Sequence, residues 1–355
     1  MKTLKSFVFT NLIENCYYCL IFGRMEFLPV AKHSKVSVFS DHIPVRPYRN
    51  CLHWHFIGKG KMYYTLSAVT GMIISIMIMI NGMFANHSGV YTSAFLIHLS
   101  GFVAISMSVL IKKDFKKLFR TRLPLYVYTG GVVGVLTILF NNMAYSKIDV
   151  SAILALTLLG QSVTSLFFDH YGFLGMKTVR FSPKKFTGIA FVLLGVLFMI
   201  SLNDISKLVP IFLSFITGIT IVLSRTINGK LAVETNVNVS TWFNYLTGTI
   251  VSFLVFLFFI GGEPLLIPAE NPLIFTGGLV GVCAVFITNV CVSRISSFYM
   301  TLLLFAGQIF TGVIIDFILS QTFSPKNLIG GIIITIGLAL DMQINKKRKK
   351  RVLSV

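Results

Sequence analysis

From Met62 onward the chain alternates between long apolar runs and short polar breaks. Each run is long enough for a helix that crosses about 30 Å of hydrocarbon, which takes roughly 20 apolar residues. The pattern predicts helices near 64–85, 90–111, 124–145, 150–172 and 185–203. Five more are expected near 209–231, 237–260, 271–292, 297–320 and 326–344. Most of the connections between them are a handful of residues.

The pattern occurs twice. Shifted by 147 positions, the sequence lies on itself without a gap from about residue 66 to 170. Thr70-Gly71 falls on Thr217-Gly218, Asn81-Gly82 on Asn228-Gly229, and Thr129-Gly130-Gly131 on Thr276-Gly277-Gly278. Asn142 falls on Asn289, Gly160-Gln161 on Gly307-Gln308, and Asp169 on Asp316. So many Gly, Asn, Gln and Asp matches in one register mean a duplication. Five spans per copy is an odd number, so the second copy must enter the membrane from the opposite side. The expected architecture is an all-α polytopic membrane protein with ten transmembrane helices. Two inverted five-helix repeats, 62–205 and 206–344, precede a basic tail at 345–355. Inverted repeats that meet around a midplane site are characteristic of secondary transporters.

Composition narrows the class. Apolar residues make up 55% of the 355 and charged residues only 12%, against about 25% charged in a soluble domain. A mean hydropathy of +0.81 excludes a soluble enzyme, a DNA-binding domain and a disordered chain. The net charge of +19 looks like a nucleic-acid signal, but its placement follows the positive-inside pattern instead. Connections 2–3 and 4–5 hold Lys112, Lys113, Lys116, Lys117, Arg120 and Arg122, then Lys177, Arg180, Lys184 and Lys185. Arg225 and Lys230 are read near the 6–7 connection, Arg294 near 8–9, and six bases follow the last span. The opposite connections carry Lys147, Lys207 and Lys326. Both termini are therefore expected on the cytoplasmic side of a bacterial inner (plasma) membrane. No nucleic-acid partner is expected.

Residues 1–61 break the pattern. They hold three of the five cysteines and four of the seven histidines, with no clean span. Cys16 and Cys19 with Cys51, His53 and His55 could be drawn as a zinc site, but the spacing fits no standard pattern. The preferred reading is a disordered or non-native extension, with the true start at Met62. No metal and no cofactor are expected. Cys283 and Cys291 lie inside apolar runs, so no disulfide framework is implied.

The segment from Asn142 to Gly195 carries a resemblance. It reads Asn142-x-Ala144, then Ala155-Leu-Thr157-Leu-Leu-Gly160-Gln161-Ser162, then Asp169-His170-Tyr171-Gly172, then Phe181-Ser182-Pro183 and a Gly-rich span. This resembles the YdcZ-type inner-membrane exporters of the drug/metabolite transporter superfamily. The resemblance covers both halves, 62–344, as a fused pair of five-helix units. It implies the ten-helix (EamA-like) fold and transport as the activity, with no firm substrate. The superfamily's small multidrug exporters carry a membrane-embedded Glu in their first helix. Neither helix 1 nor helix 6 has an acid at midspan here, which puts proton-for-cation exchange through such a Glu in doubt.

The candidate chemistry is sparse. Acids inside spans are costly and point to function by default. Asp169 and Asp316 are the two that qualify. In helix 4, Thr157, Gln161, Ser165 and Asp169 recur every fourth residue and form one polar stripe. The counterpart in helix 9 is Leu304, Gln308, Gly312 and Asp316. The functional reading sets the stripes face to face, with Gln161 and Gln308 near the midplane. The structural reading makes the amides interhelical glue and the acids caps or surface partners. Asn81 and Asn228, each before a Gly, either break their helix or mark its end; the second reading is preferred. Asn142 and Asn289 lie late in helices 3 and 8. His98 is expected to make a hydrogen bond, the Gly130-Gly131 face to pack closely, and Trp242 to pack or anchor.

No Walker-type loop, Gly-x-Ser-x-Gly or His-Glu-x-x-His motif occurs, so the chain is not expected to be an enzyme. The leading reading is a secondary-active or facilitative exporter of small metabolites or drug-like compounds. The alternative is a non-transporting membrane partner or sensor of a cell-envelope complex. The expected partners are a small-molecule substrate and the lipid bilayer. A fused duplication makes a monomer sufficient and leaves a dimer open. No charged residue within a span is expected to fix the ligand's sign.

Overall fold

The computed structural model describes residues 59–114, 123–175, 178, 185–200, 205–259, 276–321, 324–337 and 340. The N-terminal Cys/His group and the basic C-terminal tail lie outside them. The chain divides into two compact units, Met1–Tyr64 and Thr65–Val355. The second contains the duplicated sequence.

Among the described residues, ten α-helices follow the apolar runs. They are α1 (Lys59–Ser88), α2 (Val90–Ile111), α3 (Gly130–Tyr145), α4 (Val150–Tyr171) and α5 (Lys185–Met199). Then come α6 (Leu208–Glu234), α7 (Val237–Phe259), α8 (Gly277–Val292), α9 (Ser297–Ser320) and α10 (325–337). Six of these, α1, α2, α4, α6, α7 and α9, are long and apolar enough to cross a membrane. Helix α3 starts later than the pattern suggested, because a 3₁₀ turn at Leu125–Tyr128 precedes it. The helix starts are set locally. Asn236 Oδ1 accepts the Val239 amide at 2.8 Å at the start of α7, and Ser296 Oγ accepts the Tyr299 amide at the start of α9. Helix α4 stops at Gly172, whose φ of 63° closes the last turn in the left-handed region.

Large apolar side chains cover much of the outside. Leu125, Ile205 and Phe258 are more than four-fifths exposed, as suits a surface that faces lipid rather than water. Polar side chains turn inward instead: Ser75, Thr157, Gln161 and Thr217 are all buried.

The two halves pack reciprocally. A Cβ at Gly71 in α1 would overlap the Leu304 carbonyl oxygen in α9. Shifted by 147, a Cβ at Gly218 in α6 would overlap the Thr157 carbonyl oxygen in α4. The facing sides behave alike: Gly160 lies against Phe215 O, and Gly307 against Ala68 O. Thus α1 of one half crosses α9 of the other, and α6 crosses α4 in the same way. Helices α2 and α7 also trade equivalents, with His98 filling the space beside Gly248 and Tyr245 the space beside Gly101. These glycine contacts each occur twice with the halves exchanged, the pattern of a self-complementary interface. Lipid offers little hydrophobic drive for helix association, so close backbone approach at small residues holds such crossings.

Candidate functional site

The polar stripe on α4 is buried along its whole length. Thr157, Gln161, Ser165 and Asp169 are at most 2% exposed. They lie between α6 and α9. Thr157 Oγ1 donates to the Ser214 carbonyl at 3.2 Å. Ser165 Oγ lies 3.1 Å from Thr301 Oγ1 and 3.2 Å from Ser297 Oγ, both on α9. Gln161 is one turn further in, and its Oε1 has no hydrogen-bond partner. Gln308 is equally buried, and its backbone oxygen accepts the Ser75 hydroxyl at 2.9 Å.

Helices α4 and α9 run antiparallel, so each acid lands on the start of the other helix. Asp169 Oδ2 accepts the Phe298 amide at 3.2 Å. Asp316 accepts the Val150 amide at 2.9 Å on Oδ1 and the Ser151 amide at 3.0 Å on Oδ2. Both acids cap orphan amides at helix N-termini, where a negative charge is also favoured by the helix dipole. This geometry matches the capping role among the two readings of the sequence.

The asparagines correct the sequence reading. Asn81 and Asn228 neither break nor end their helices: α1 continues to Ser88 and α6 to Glu234. Each side chain instead lies against the first residue of a helix in the opposite half, Asn81 against Gly277 and Asn228 against Gly130. Asn228 Nδ2 donates to Asn244 Oδ1 at 2.7 Å. Asn142 Nδ2 donates to Ser93 Oγ at 3.1 Å, and Asn289 Nδ2 to Thr241 Oγ1 at 3.2 Å. A helix interior accepts an Asn-Gly pair when the amide packs into tertiary structure: Asn228 bonds Asn244, while Asn81 packs against Gly277 with its Oδ1 unbonded.

Arg225 is the second correction. The sequence reading places it near the 6–7 connection as one more cytoplasmic base. In the structure it lies inside α6, 5% exposed. Its Nη2 donates to Ser297 Oγ and Thr301 Oγ1, both at 2.9 Å, and more weakly to Ser165 Oγ at 3.4 Å. Nε and Nη1 have no hydrogen-bond partner. Asp169 is near enough to act on its charge. The signal was present in the repeat: Arg225 falls on Ile78, in the middle of a span. The remaining loop bases still outnumber those opposite by a wide margin.

With this geometry in place, the comparisons are specific. The family model described as "Putative inner membrane exporter, YdcZ" matches residues 62–198 and again residues 209–340. The chain belongs to this family. It is a multi-pass membrane protein of the exporter type, built from two copies of the family unit. A solved crystal structure of a protein superposes at a TM-score of 0.60 and 14% identity. The overlap covers 80% of this chain and 98% of that one. At that identity the likeness speaks for the fold alone. No curated protein matches the chain.

The remaining polar groups of this exporter-family chain pack the helices. His98 Nδ1 lies 2.8 Å from the Ala94 carbonyl of its own helix, which leaves it a packing role beside Gly248. Trp242 Nε1 donates to Ser106 Oγ at 3.0 Å, and its ring sits 5.6 Å from that of Phe102. A Cβ at Gly131 would overlap the Asn244 carbonyl oxygen, so the small face of α3 serves close packing on α7. Cys283 and Cys291 are buried and form no disulfide with each other.

Proposed function

We propose that the chain is a secondary-active or facilitative exporter of small metabolites or drug-like compounds. It works by alternating access between two inverted repeats, 62–205 and 206–344. One observation carries this reading: the reciprocal packing of α1 on α9 and of α6 on α4. When the helix crossings have partners with the halves exchanged, each half can take the other's conformation. Two states that open to opposite sides are then close in energy, as rocking around a fixed site requires. Ten spans in all would put both termini on one side of a bacterial inner membrane, and the basic loops support the cytoplasmic side.

The passage runs between α4 and α9. Gln161 and Gln308 are the substrate-facing groups, since a buried amide offers both donors and acceptors. Thr157 and Ser165 line the same stripe. Asp169, Asp316, Asn81, Asn228, Asn142 and Asn289 support it by holding the helices in register. One chain is the working unit, since both copies of the fold are present in it.

The test is flux through the full chain in liposomes, with neutral, cationic and anionic solutes and with lumenal pH recorded. Gln161→Ala/Gln308→Ala is the control. Flux that falls in the control supports both transport and the passage. Flux that survives it keeps transport and removes the glutamines. No flux with folded protein contradicts the reading and favours a membrane partner or sensor.

A further inference from the structure

The twofold likeness of the halves fails at the buried cluster around Arg225. In the first half, Ile78 packs with Val150, Leu154 and Ile315. Shifted by 147, those positions are Arg225, Ser297, Thr301 and Phe168. Three apolar residues in one half are thus replaced by a guanidinium and two hydroxyls in the other. The fold does not need this polarity, because the first half builds the same crossing without it.

The cluster is also incomplete. A guanidinium carries five N–H donors. Arg225 uses those on Nη2, while Nε and both hydrogens of Nη1 find no acceptor. Buried charged groups are normally satisfied, and an exception asks for a missing partner. Asp169 is near enough to act on the Arg225 charge but accepts none of these hydrogens, and its Oδ2 takes the Phe298 amide.

We infer that Arg225, with Ser297 and Thr301, binds a carboxylate group of the transported compound. This rests on the transporter reading above. It adds the chemical class of the substrate, an organic acid. A planar guanidinium matches a carboxylate in shape and charge better than any other side chain does. Ser165 joins the cluster to the α4 stripe, one turn from Gln161. A carboxylate on Arg225 therefore places the rest of the molecule along that stripe. Arg225 lies toward the end of α4 that leads into the basic loop Lys177–Lys185. That is the side from which an exporter loads, and its positive charge draws anions there.

Two measurements on the full chain test this. The first is the melting temperature in detergent with lactate, succinate or benzoate, and with choline or glucose for contrast. A ligand that binds only the folded state raises it. The second is flux of the same solutes in liposomes. The variants are Arg225→Lys and the triple change Arg225→Ile, Ser297→Val, Thr301→Leu. The triple change copies the apolar cluster of the first half and so keeps the packing. At least one carboxylate should raise the melting temperature of the wild type, with affinity roughly tenfold to a hundredfold lower in Arg225→Lys. The triple variant should melt cooperatively and show no response. Choline and glucose should have no effect on any of the three. Absence of a carboxylate response in the wild type, or its persistence in the triple variant, overturns the inference. If choline or glucose crosses the membrane and no carboxylate binds, the site is wrong and transport stands. If carboxylates bind through Arg225 and no solute crosses, the site stands and the transporter reading falls.

Discussion

Asp316 Oδ2 accepts the backbone amide of Ser151 at 3.0 Å, so an acid near the end of α9 caps the start of α4. With Asp169 and Phe298 the same bond forms in the opposite direction. Removing either carboxylate leaves buried amides without an acceptor. Asp316→Ala should cost about 1–3 kcal/mol of stability, read as a lower melting temperature in detergent. Asp169→Ala should cost a similar amount and also disturb Arg225. An Asp316→Ala protein that melts like the wild type would show that the cap is not used.

The Gly71–Leu304 and Gly218–Thr157 crossings leave no room for a side chain. Gly71→Leu and Gly218→Leu should each destabilise by at least 1–3 kcal/mol, roughly the cost of overpacking, and to similar extents. Gly134 is the contrast. Its nearest neighbours to a Cβ are 3.8 and 3.9 Å away, so Gly134→Ala should be neutral or gain up to about 1 kcal/mol from helix propensity. Equal losses at all three sites would contradict the reciprocal crossing.

Gln161 Oε1 has no partner to lose. Gln161→Ala should therefore fold normally and still reduce flux by roughly twofold to tenfold, the worth of one hydrogen bond to substrate. Unchanged flux with unchanged melting would take Gln161 out of the passage.

The Asn228–Asn244 bond at 2.7 Å has no equivalent in the first half, where Asn244 falls on Ile97. A double-mutant cycle with Asn228→Ala and Asn244→Ala should give a coupling of about 0.5–2 kcal/mol, the range of interhelical bonds in membranes. A coupling near zero would mean that each amide has another partner.

Much of this was legible in the sequence, and the reason is periodicity. A span must be apolar for about 20 residues, so the ten helices stand out, and the shift of 147 pairs Gly160 with Gly307 from the sequence alone. The buried stripe from Thr157 to Asp169 followed from four-residue spacing. Tertiary partners were not legible. Asn81-Gly82 and Asn228-Gly229 carry the signature of a helix end, yet both helices run through, because the amides meet Gly277 and Gly130 across the interface. Arg225 looked like a loop base because charge near a span end is usually at the surface. Its burial depends on Ser297 and Thr301, more than seventy residues away in the chain. The repeat held the clue, since Ile78 lies at midspan.

Alternating access between the halves is the central claim, and a pair of distances tests it directly. Tyr171 and Arg294 are exposed, one on each half. Shifted by 147, the equivalent pair is Ile318 and Lys147, also exposed. Spin labels on each pair, in a background without the five native cysteines, report the separation of the halves at two equivalent places. The account predicts two distances for each pair, the long distance of one coexisting with the short distance of the other, and populations that shift with substrate. A single fixed distance for both pairs, with and without a transported solute, would contradict it.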